Sequence, residues 1–361
     1  MKKLSEAQKS LLFLLLSTLA LAALFLLSHH ASAEPYQGEY HSLEEIQEEL
    51  ERIHANYPNI TALYNLSHYY DTPLTHKGRA LYALKISDNP EKEEENEVDV
   101  LIVGATHGRE WISYEVPLYF IHSILENYTS STTDGGEENG TTEYLNRAHY
   151  LINNREIWVI PVVNPDGVHK SLQRNDRQNN WTGWRKNLRD NNQNGKEDYR
   201  DDGVDLNRNY GYKWGYDDQG SSPDPSSQTY RGPAPWSEAE TQMIRALVED
   251  EKHDFKTALT YHSYGEMILY PYGYQPLDPE HFDQYLTIAR EMAYWNGYRY
   301  GNYKSGLIYK TNGDMIDYLY GEHKIISYTI ELGSDRDRFI PDESRIVPIS
   351  KENLELNYFI A

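Results

Sequence analysis

Apolar stretches alternate with polar ones along most of the chain, and this pattern predicts strands that alternate with helices. Short, largely apolar or alternating stretches predict strands at Ala80–Ile86, Val98–Val103, Glu156–Val163, Thr257–Tyr261 and Ile325–Glu331. Longer segments and capping signals predict helices from Ser42 to about Ala55, over Glu110–Asn127 with a bend at Pro117, after Ser237, and over His281–Asn296. Strands that are apolar on both faces require cover on both sides of their sheet. We therefore expect an α/β fold.

Polar stretches separate these elements. Ser130–Thr142 and Gln219–Ser227 are predicted loops, and the acidic run Glu91–Glu97 is predicted to be a solvated loop tip. Neither an internal repeat nor a long linker interrupts the chain after residue 34. We expect residues 34–361 to form one domain.

The first 33 residues have the pattern of an export signal. Basic residues are followed by the apolar run Leu11–Leu27 and by Ala31-Ser32-Ala33, an order typical of a cleaved secretory signal peptide. The run is close to the minimum length that spans a bilayer, so an uncleaved membrane anchor is the alternative. Either way we expect an exported protein that is secreted, membrane-anchored or associated with the cell wall.

Composition excludes several classes of function. The 361 residues carry a formal net charge of −22, whereas a nucleic-acid-binding protein needs a basic face. The chain has no cysteine, which rules out disulfides, thiol nucleophiles and cysteine metal sites.

The residues suited to chemistry follow predicted strands. His107 and Glu110 come directly after the strand Val98–Val103, His262 ends the strand Thr257–Tyr261, and Glu331 ends the last one. Function in such sheets gathers at the carboxyl ends of strands. Two histidines and a carboxylate are zinc ligands that leave a fourth position open, and a further glutamate nearby would serve as a general base. The His107–Glu110 pair alone is better explained as a surface hydrogen bond or cap, and His262 alone as a packed core histidine. Packing explains a carboxylate at Glu331 poorly, because carboxylates are rarely buried without a partner.

Arginines form a second set of candidates. Arg109, Arg185 and Arg208 lie in dense polar clusters of an acidic chain, and arginine binds carboxylates through two parallel hydrogen bonds. Surface ion pairing is the ordinary explanation for any one of them.

Six motifs follow one another along the chain: H-G-R-E, W-R-K-N, G-V-D-L-N-R-N-Y-G, Y-H-S-Y, I-Y-K-T-N-G-D-M-I-D and Y-T-I-E-L. In this order they resemble the zinc metallocarboxypeptidase family, and the similarity runs from about Tyr36 to Pro348. The chain looks closest to bacterial carboxypeptidase T-type members. The resemblance implies a single-domain α/β fold with a mixed, mostly parallel central sheet and helices on both faces, and a monomeric enzyme that acts on peptide or protein C-termini.

The resemblance also implies roles, residue by residue. His107, Glu110 and His262 match the ligands of one Zn²⁺, and Glu331 matches the residue that activates water. Arg185 matches the group that stabilises the oxyanion. Asn207 and Arg208 match the pair that holds the terminal carboxylate, Tyr309 the tyrosine that closes over substrate, and Arg109 an accessory subsite residue.

Substrate preference depends on the segment after Tyr309. Basic-selective members carry an acidic residue at the position of Ile316, so this chain resembles the enzymes that prefer apolar or aromatic C-terminal residues. Asp314 would allow a broader pocket that admits Lys or Arg, and Lys304 would favour an acidic side chain.

One loop resembles a calcium site. Asp190, Asn192, Asn194, Gly195 and Asp198 match positions 1, 3, 5, 6 and 9 of a calcium-binding loop, and Asp201 stands where a glutamate is usual. A plain polar loop is the alternative, since no helix pair clearly flanks it.

Two other functions remain open at the sequence level. An enzyme of the same fold would cleave cell-wall stem peptides that contain D-Glu or diaminopimelate. A catalytically dead peptide-binding module is disfavoured, because the ligands, Glu331, Arg185, Arg208 and Tyr309 are all present together.

Overall fold

The computed structural model describes Tyr36 and residues 38–130, 141–173 and 183–361. The predicted signal segment and the centre of the predicted loop Ser130–Thr142 lie outside these residues. Residues 38–361 form one compact unit. Within the described residues, no helix has both the length and the apolar character needed to cross a membrane.

A mixed sheet of eight strands organises the described residues. The strands are β1 (Thr61–Asn65), β2 (Tyr82–Ile86), β3 (Val98–Val103), β4 (Arg155–Ile160), β5 (Phe255–Ser263), β6 (Met267–Leu269), β7 (Arg299–Gly301) and β8 (Ile326–Leu332). Their order across the sheet is β1-β2-β4-β3-β5-β8-β6-β7. The central strands β4, β3, β5 and β8 are parallel, whereas β1–β2, β2–β4 and β8–β6 pair antiparallel. The predicted α/β class is confirmed.

The helices that connect or flank the strands are α1 (Leu43–Asn56), α2 (Leu66–Tyr69), α3 (Ile112–Thr129), α4 (Thr141–Ile152), α5 (Pro165–Gln173), α6 (Ala239–Val248), α7 (Phe282–Asn296), α8 (Met315–His323), α9 (Ile346–Glu352) and α10 (Leu354–Ile360). Short 3₁₀ turns lie at Leu206–Arg208 and Glu343–Arg345. Ser42 and Glu45 form the predicted capping box of α1.

Alternating side chains cover both faces of the central strands. Leu101 and Val103 of β3 share a buried cluster with α6 and α8, where Met243 and Leu319 lie. On β5, the opposite face is tied to the C-terminal helix α10: the hydroxyl of Thr257 donates to the backbone oxygen of Ile360, and that of Tyr261 to the side chain of Asn357. Successive strand residues point to opposite faces, so a strand that is apolar throughout packs against helices on both sides.

Several predicted boundaries are wrong. The helix predicted from Glu110 begins at Ile112 and includes Pro117, so Glu110 lies in the turn before it. The N-cap position of α6 is Glu238, whose side chain makes no capping hydrogen bond, and not Ser237. Helix α4 already begins at Thr141, inside the predicted loop. Strand β4 ends at Ile160, before Pro161. Turn residues at element ends carry the same residue types as the elements, so periodicity alone does not define an end.

A buried ionic network lies where the acidic run Glu91–Glu97 meets the sheet. Lys85 of β2 has a fully buried side chain, and its Nζ lies 2.9 Å from Oε2 of Glu156 and 3.1 Å from Oε1 of Glu93. The ring of His253 lies 3.2 Å from Glu93 and 3.6 Å from Asp99. The acidic run is therefore anchored at Glu93 and is not a solvated tip along its whole length.

Candidate metal centre and substrate cleft

The candidate site lies at the carboxyl ends of β3, β5 and β8. His107 and Glu110 follow β3 in the turn that leads into α3, and Gly108 allows this turn to pack closely, since a Cβ there would lie 2.3 Å from the backbone of Gly167. His262 is on β5, directly opposite Glu331 on β8. Parallel strands end at the same edge, which is why residues far apart in sequence meet here.

Three buried side chains converge on one point. Nδ1 of His107 lies 2.8 Å from Oε1 of Glu110, Nδ1 of His262 lies 3.0 Å from Oε2 of Glu110, and the two Nδ1 atoms are 3.1 Å apart. The backbone N–H of Ser263 donates to Glu110 over 3.2 Å. Burial alone would raise the pKa of the Glu110 carboxyl, but the two histidines hold it well below its usual range.

Asp205 orients His107 by contacting the ring nitrogen that does not face Glu110. Its Oδ1 lies 3.1 Å from Nε2 of His107, and its Oδ2 accepts from Nε and Nη2 of Arg185 over 3.1 and 2.9 Å. Burial opposes ionisation, yet Arg185 and Arg208 hold the pKa of Asp205 well below its usual range. An ionised carboxylate only accepts hydrogen bonds, so Nε2 of His107 carries a proton.

This arrangement fits a zinc ion. The Nδ1 atoms of His107 and His262 and the carboxylate of Glu110 lie 2.8–3.1 Å from one another, so a cation bound between them would be held by all three side chains. Two imidazoles and one carboxylate match a zinc site with an open position, and Asp205 supplies the carboxylate that orients a ligating histidine. His107, Glu110 and His262 form one of the ligand clusters in the described part of the chain.

Glu331 faces the same point from β8. It lines the cleft beside His262, Glu110 and Arg185. Burial is the main cause that raises its pKa to about 7, and the Glu110 charge adds to this, whereas His262, Arg185 and Arg109 oppose it. A carboxyl with a pKa near neutrality can both accept and release a proton.

The other residues predicted to stabilise the oxyanion or bind substrate line the same cleft, which has a volume of about 320 Å³. They are Arg109, Arg185, Asn207, Arg208, Tyr309 and Ile316. Arg208 is 2% exposed, and its Nε has no hydrogen-bond partner among the described residues. Asn207 accepts from the backbone N–H of Met315 over 3.0 Å, which fixes its amide at the cleft wall. Tyr309 is 60% exposed at the mouth.

Lys304 and Asp314, the two charged side chains considered for specificity, lie in different surroundings. Lys304 forms a surface ion pair with Asp278 and is absent from the residues described as lining the cleft. Asp314 does line it, but its Oδ2 accepts from the Thr311 hydroxyl over 2.6 Å and its Oδ1 from the N–H of Asp317 over 2.9 Å. Apolar side chains complete this wall, at Met267, Leu269, Ile308 and Ile316.

The loop predicted to bind calcium is held by its own hydrogen bonds. Asp190 accepts from the backbone N–H groups of Asn194 and Gly195, and Asp198 accepts from the side chains of Asn192 and Asn194. Among the described residues, no cluster of three or more potential His, Asp or Glu ligands falls between Asp190 and Asp201. The structure therefore gives no support to calcium in this loop.

Asp205 and Phe339 are among the site residues that were not predicted. Asp205 stands two residues before Asn207 in the motif G-V-D-L-N-R-N-Y-G, and a carboxylate so close to the Arg and Asn of that motif is the signal that could have identified it. Phe339 lines the cleft with its ring centre 3.8 Å from the guanidinium of Arg109. A lone aromatic in a polar loop carries no comparable signal.

Comparison with known proteins agrees with this geometry. The pattern that defines the zinc carboxypeptidase family matches residues 46–356. A zinc carboxypeptidase of Saccharothrix mutabilis subsp. capreolus is 34% identical over 334 residues, covering 88% of this chain and 68% of the relative. Mast cell carboxypeptidase A of Mus musculus is 34% identical over 288 residues, covering 78% of this chain and 61% of the relative.

A solved structure shares the fold. Bovine thrombin-activatable fibrinolysis inhibitor, in complex with tick carboxypeptidase inhibitor, superimposes with a TM-score of 0.73 at 26% identity, over 90% of this chain and 97% of that one. The chain belongs to the zinc carboxypeptidase family.

Proposed function

We propose that this protein is an exported, zinc-dependent carboxypeptidase that removes single residues from free peptide C-termini. The observation that carries the proposal is the pairing, in one cleft, of a convergent His107–Glu110–His262 set with the buried guanidinium of Arg208. A metal set alone suits many hydrolases. Arg208 is a buried cation whose own Nε has no hydrogen-bond partner among the described residues. Such a group selects a substrate that ends in a carboxylate.

Each residue around the proposed metal site has a separate role in hydrolysis. Zinc held by the two histidines and Glu110 would supply Lewis-acid chemistry, polarising the scissile carbonyl and making water more acidic. Glu331 accepts a proton from the attacking water at a carboxylate oxygen and delivers it to the leaving nitrogen. Arg185, fixed by Asp205, donates to the oxygen on which negative charge develops.

The other side chains bind and position the substrate. Arg208 and Asn207 hold the terminal carboxylate, Arg109 contacts the chain further from the scissile bond, and Tyr309 closes over the bound peptide. Holding the terminus fixed places one peptide bond at the reacting groups, so residues leave one at a time. Binding energy from the terminus is thereby used to orient the reacting carbonyl.

The cleft favours apolar or aromatic C-terminal residues. Ile316 and its apolar neighbours line the wall, and both oxygens of Asp314 already accept hydrogen bonds within the protein. A cationic side chain would have to displace these bonds to reach the carboxylate, and lost buried hydrogen bonds are costly. A broader preference that includes Lys and Arg is the second possibility.

The test compares peptides that differ only at their C-termini. Peptides ending in Phe, Leu, Lys or Asp, each as free acid and as amide, are incubated with the purified protein and followed by mass spectrometry. We expect stepwise loss of single residues from free acids, fastest for Phe and Leu, with amides intact and activity abolished by a zinc chelator. The variant Glu331→Gln should keep zinc but lose about a hundredfold or more in kcat.

Two outcomes would contradict the proposal. Cleavage of amides at the same rate as free acids would show that Arg208 does not select a free terminal carboxylate. Inactivity towards every free acid, with zinc confirmed in the protein, would also contradict it, and a wall peptide containing diaminopimelate would then be the next substrate to assay.

A further inference from the structure

Tyr309 lies on a segment without regular structure, residues 302–314, between β7 and α8. Its ring is 60% exposed, and it lines the same cleft as Arg185. Few contacts hold an exposed side chain in place, so the backbone beneath Tyr309 must define where it can reach. What fixes that backbone therefore matters to closure over a substrate.

The two ends of the segment are fixed by buried asparagines. At the first end, Asn302 donates to the backbone oxygen of Pro271 over 3.2 Å. At the other, Asn312 donates to the backbone oxygen of Asp217 over 3.0 Å and accepts from the hydroxyl of Ser221. The C-terminal anchor is thus the loop around Asp217, more than ninety residues earlier in the chain.

An ion pair with Asp217 joins this loop to the residue next to Tyr309. Nζ of Lys310 contacts Oδ2 of Asp217, and the two side chains are 19% and 27% exposed. Oδ1 of Asp217 meanwhile accepts from the backbone N–H groups of Gln219 and Gly220 over 3.0 and 2.8 Å. The carboxylate is therefore oriented by its own turn before it meets Lys310.

Backbone packing brings the two segments together closely. A Cβ on Gly220 would lie 2.5 Å from the side chain of Asn312 and 2.8 Å from the backbone of Thr311. The ammonium of Lys310 also lies 5.6 Å from the ring centre of Tyr216. Lys310 is thus the charged contact between a preformed turn and the backbone that carries Tyr309.

We infer that Asp217 is a positioning residue for closure: its charge holds Lys310 and so fixes the backbone from which Tyr309 turns over a bound substrate. The inference rests on the proposed function, in which Tyr309 contacts the substrate. Loss of the charge leaves the metal ligands, Glu331 and Arg185 untouched. It loosens only the closing side chain, so it weakens substrate binding more than the chemical step.

The test uses the zinc-loaded protein and a peptide that ends in free phenylalanine. Asp217→Asn keeps an oxygen that can accept from Gln219 and Gly220 but removes the charge. We expect KM to rise about threefold to tenfold while kcat changes by less than about twofold. Lys310→Met should give the same rise, and Lys310→Arg should stay near wild type. The double variant that combines Asp217→Asn with Lys310→Met should be no worse than either single variant.

Asp278→Asn is the matched control. It breaks the ion pair with Lys304, an exposed pair on the same segment, and should leave KM unchanged. An unchanged KM in Asp217→Asn, or an equal rise in Asp278→Asn, would overturn the inference. Tyr309→Phe separates the two proposals. If it raises KM while Asp217→Asn does not, the positioning role fails alone; if it leaves KM unchanged, the proposed role of Tyr309 fails and the positioning role with it.

Discussion

Asp205 holds two functional side chains at once. One carboxylate oxygen faces Nε2 of His107 and the other accepts two hydrogen bonds from Arg185. Such a carboxylate fixes the tautomer of a ligating histidine and raises its basicity. Here the same group also sets the direction of the guanidinium, so in the proposed mechanism both metal binding and oxyanion stabilisation depend on Asp205.

Asp205→Asn should weaken both properties. The amide keeps one oxygen for His107 but loses the charge that both partners need, so zinc affinity should fall by about tenfold to a hundredfold. Competition with a chromophoric chelator measures the affinity, and kcat/KM should fall further because Arg185 is also released. Asp166→Asn, which breaks the ion pair with Arg79, is a control outside the cleft. Wild-type zinc affinity in Asp205→Asn would contradict the assignment.

The sequence predicts which residues reach the cleft better than it predicts what they contact. His107, His262 and Glu331 could be placed together because each follows or ends a predicted strand, and parallel strands end at one edge. Lys304 was a candidate because of its proximity in sequence to Ile316, but the path of an irregular loop decides where a side chain points. That path depends on tertiary contacts, such as the ion pair with Asp278, which have no local signature.

At the level of elements, strand β2 carries a buried lysine. Lys85 lies on it with its side chain fully buried and its ammonium bonded to Glu156, Glu93 and the backbone oxygen of Lys92. The network ties β2 and β4 to the acidic segment that precedes β3. A buried charge is tolerated only with such partners, so the segment is held by the sheet.

Lys85→Met should destabilise the protein strongly, because it leaves the paired carboxyl groups of Glu93 and Glu156 without the buried cation that contacts both. The free energy of unfolding in guanidinium should fall by about 3–5 kcal/mol. The double variant with Glu156→Gln should recover part of this loss, since it removes one of the two carboxyl groups that Lys85 contacted. A loss in Lys85→Met of less than about 1 kcal/mol would show that water reaches the site and compensates the carboxylate.

At the scale of the whole molecule, the metal site joins parts of the sheet that are distant in sequence. Its ligands come from the turn after β3 and from β5, strands that pair side by side. A ligand that binds only the folded state stabilises it by mass action. Zinc should therefore contribute to global stability and not to catalysis alone.

Removing zinc should lower the melting temperature. With zinc at about a thousandfold excess over its Kd, the contribution is about 4 kcal/mol, which corresponds to several degrees for a domain of this size. Calorimetry with 1,10-phenanthroline, in buffer with excess calcium, isolates zinc from any effect at the Asp190–Asp201 loop. His262→Ala should melt at the same temperature with and without the chelator. An equal shift in that variant would show that the effect arises elsewhere.

The α/β class was predictable, but the full sheet was not. Central strands such as β3 and β8 are apolar and long enough to show a pattern. By contrast, β6 and β7 have three residues each, too few for any period, and β1 lies at an edge with most of its residues only partly buried. Strand order is a property of long-range pairing, which no local pattern encodes.

Strand β8 enters the sheet between β5 and β6, although it is the last strand in the chain. During synthesis the complete ligand set His107, Glu110 and His262 leaves the ribosome before Glu331 does. The proposed metal ligands and Glu331 are therefore brought together only when this last strand pairs with β5.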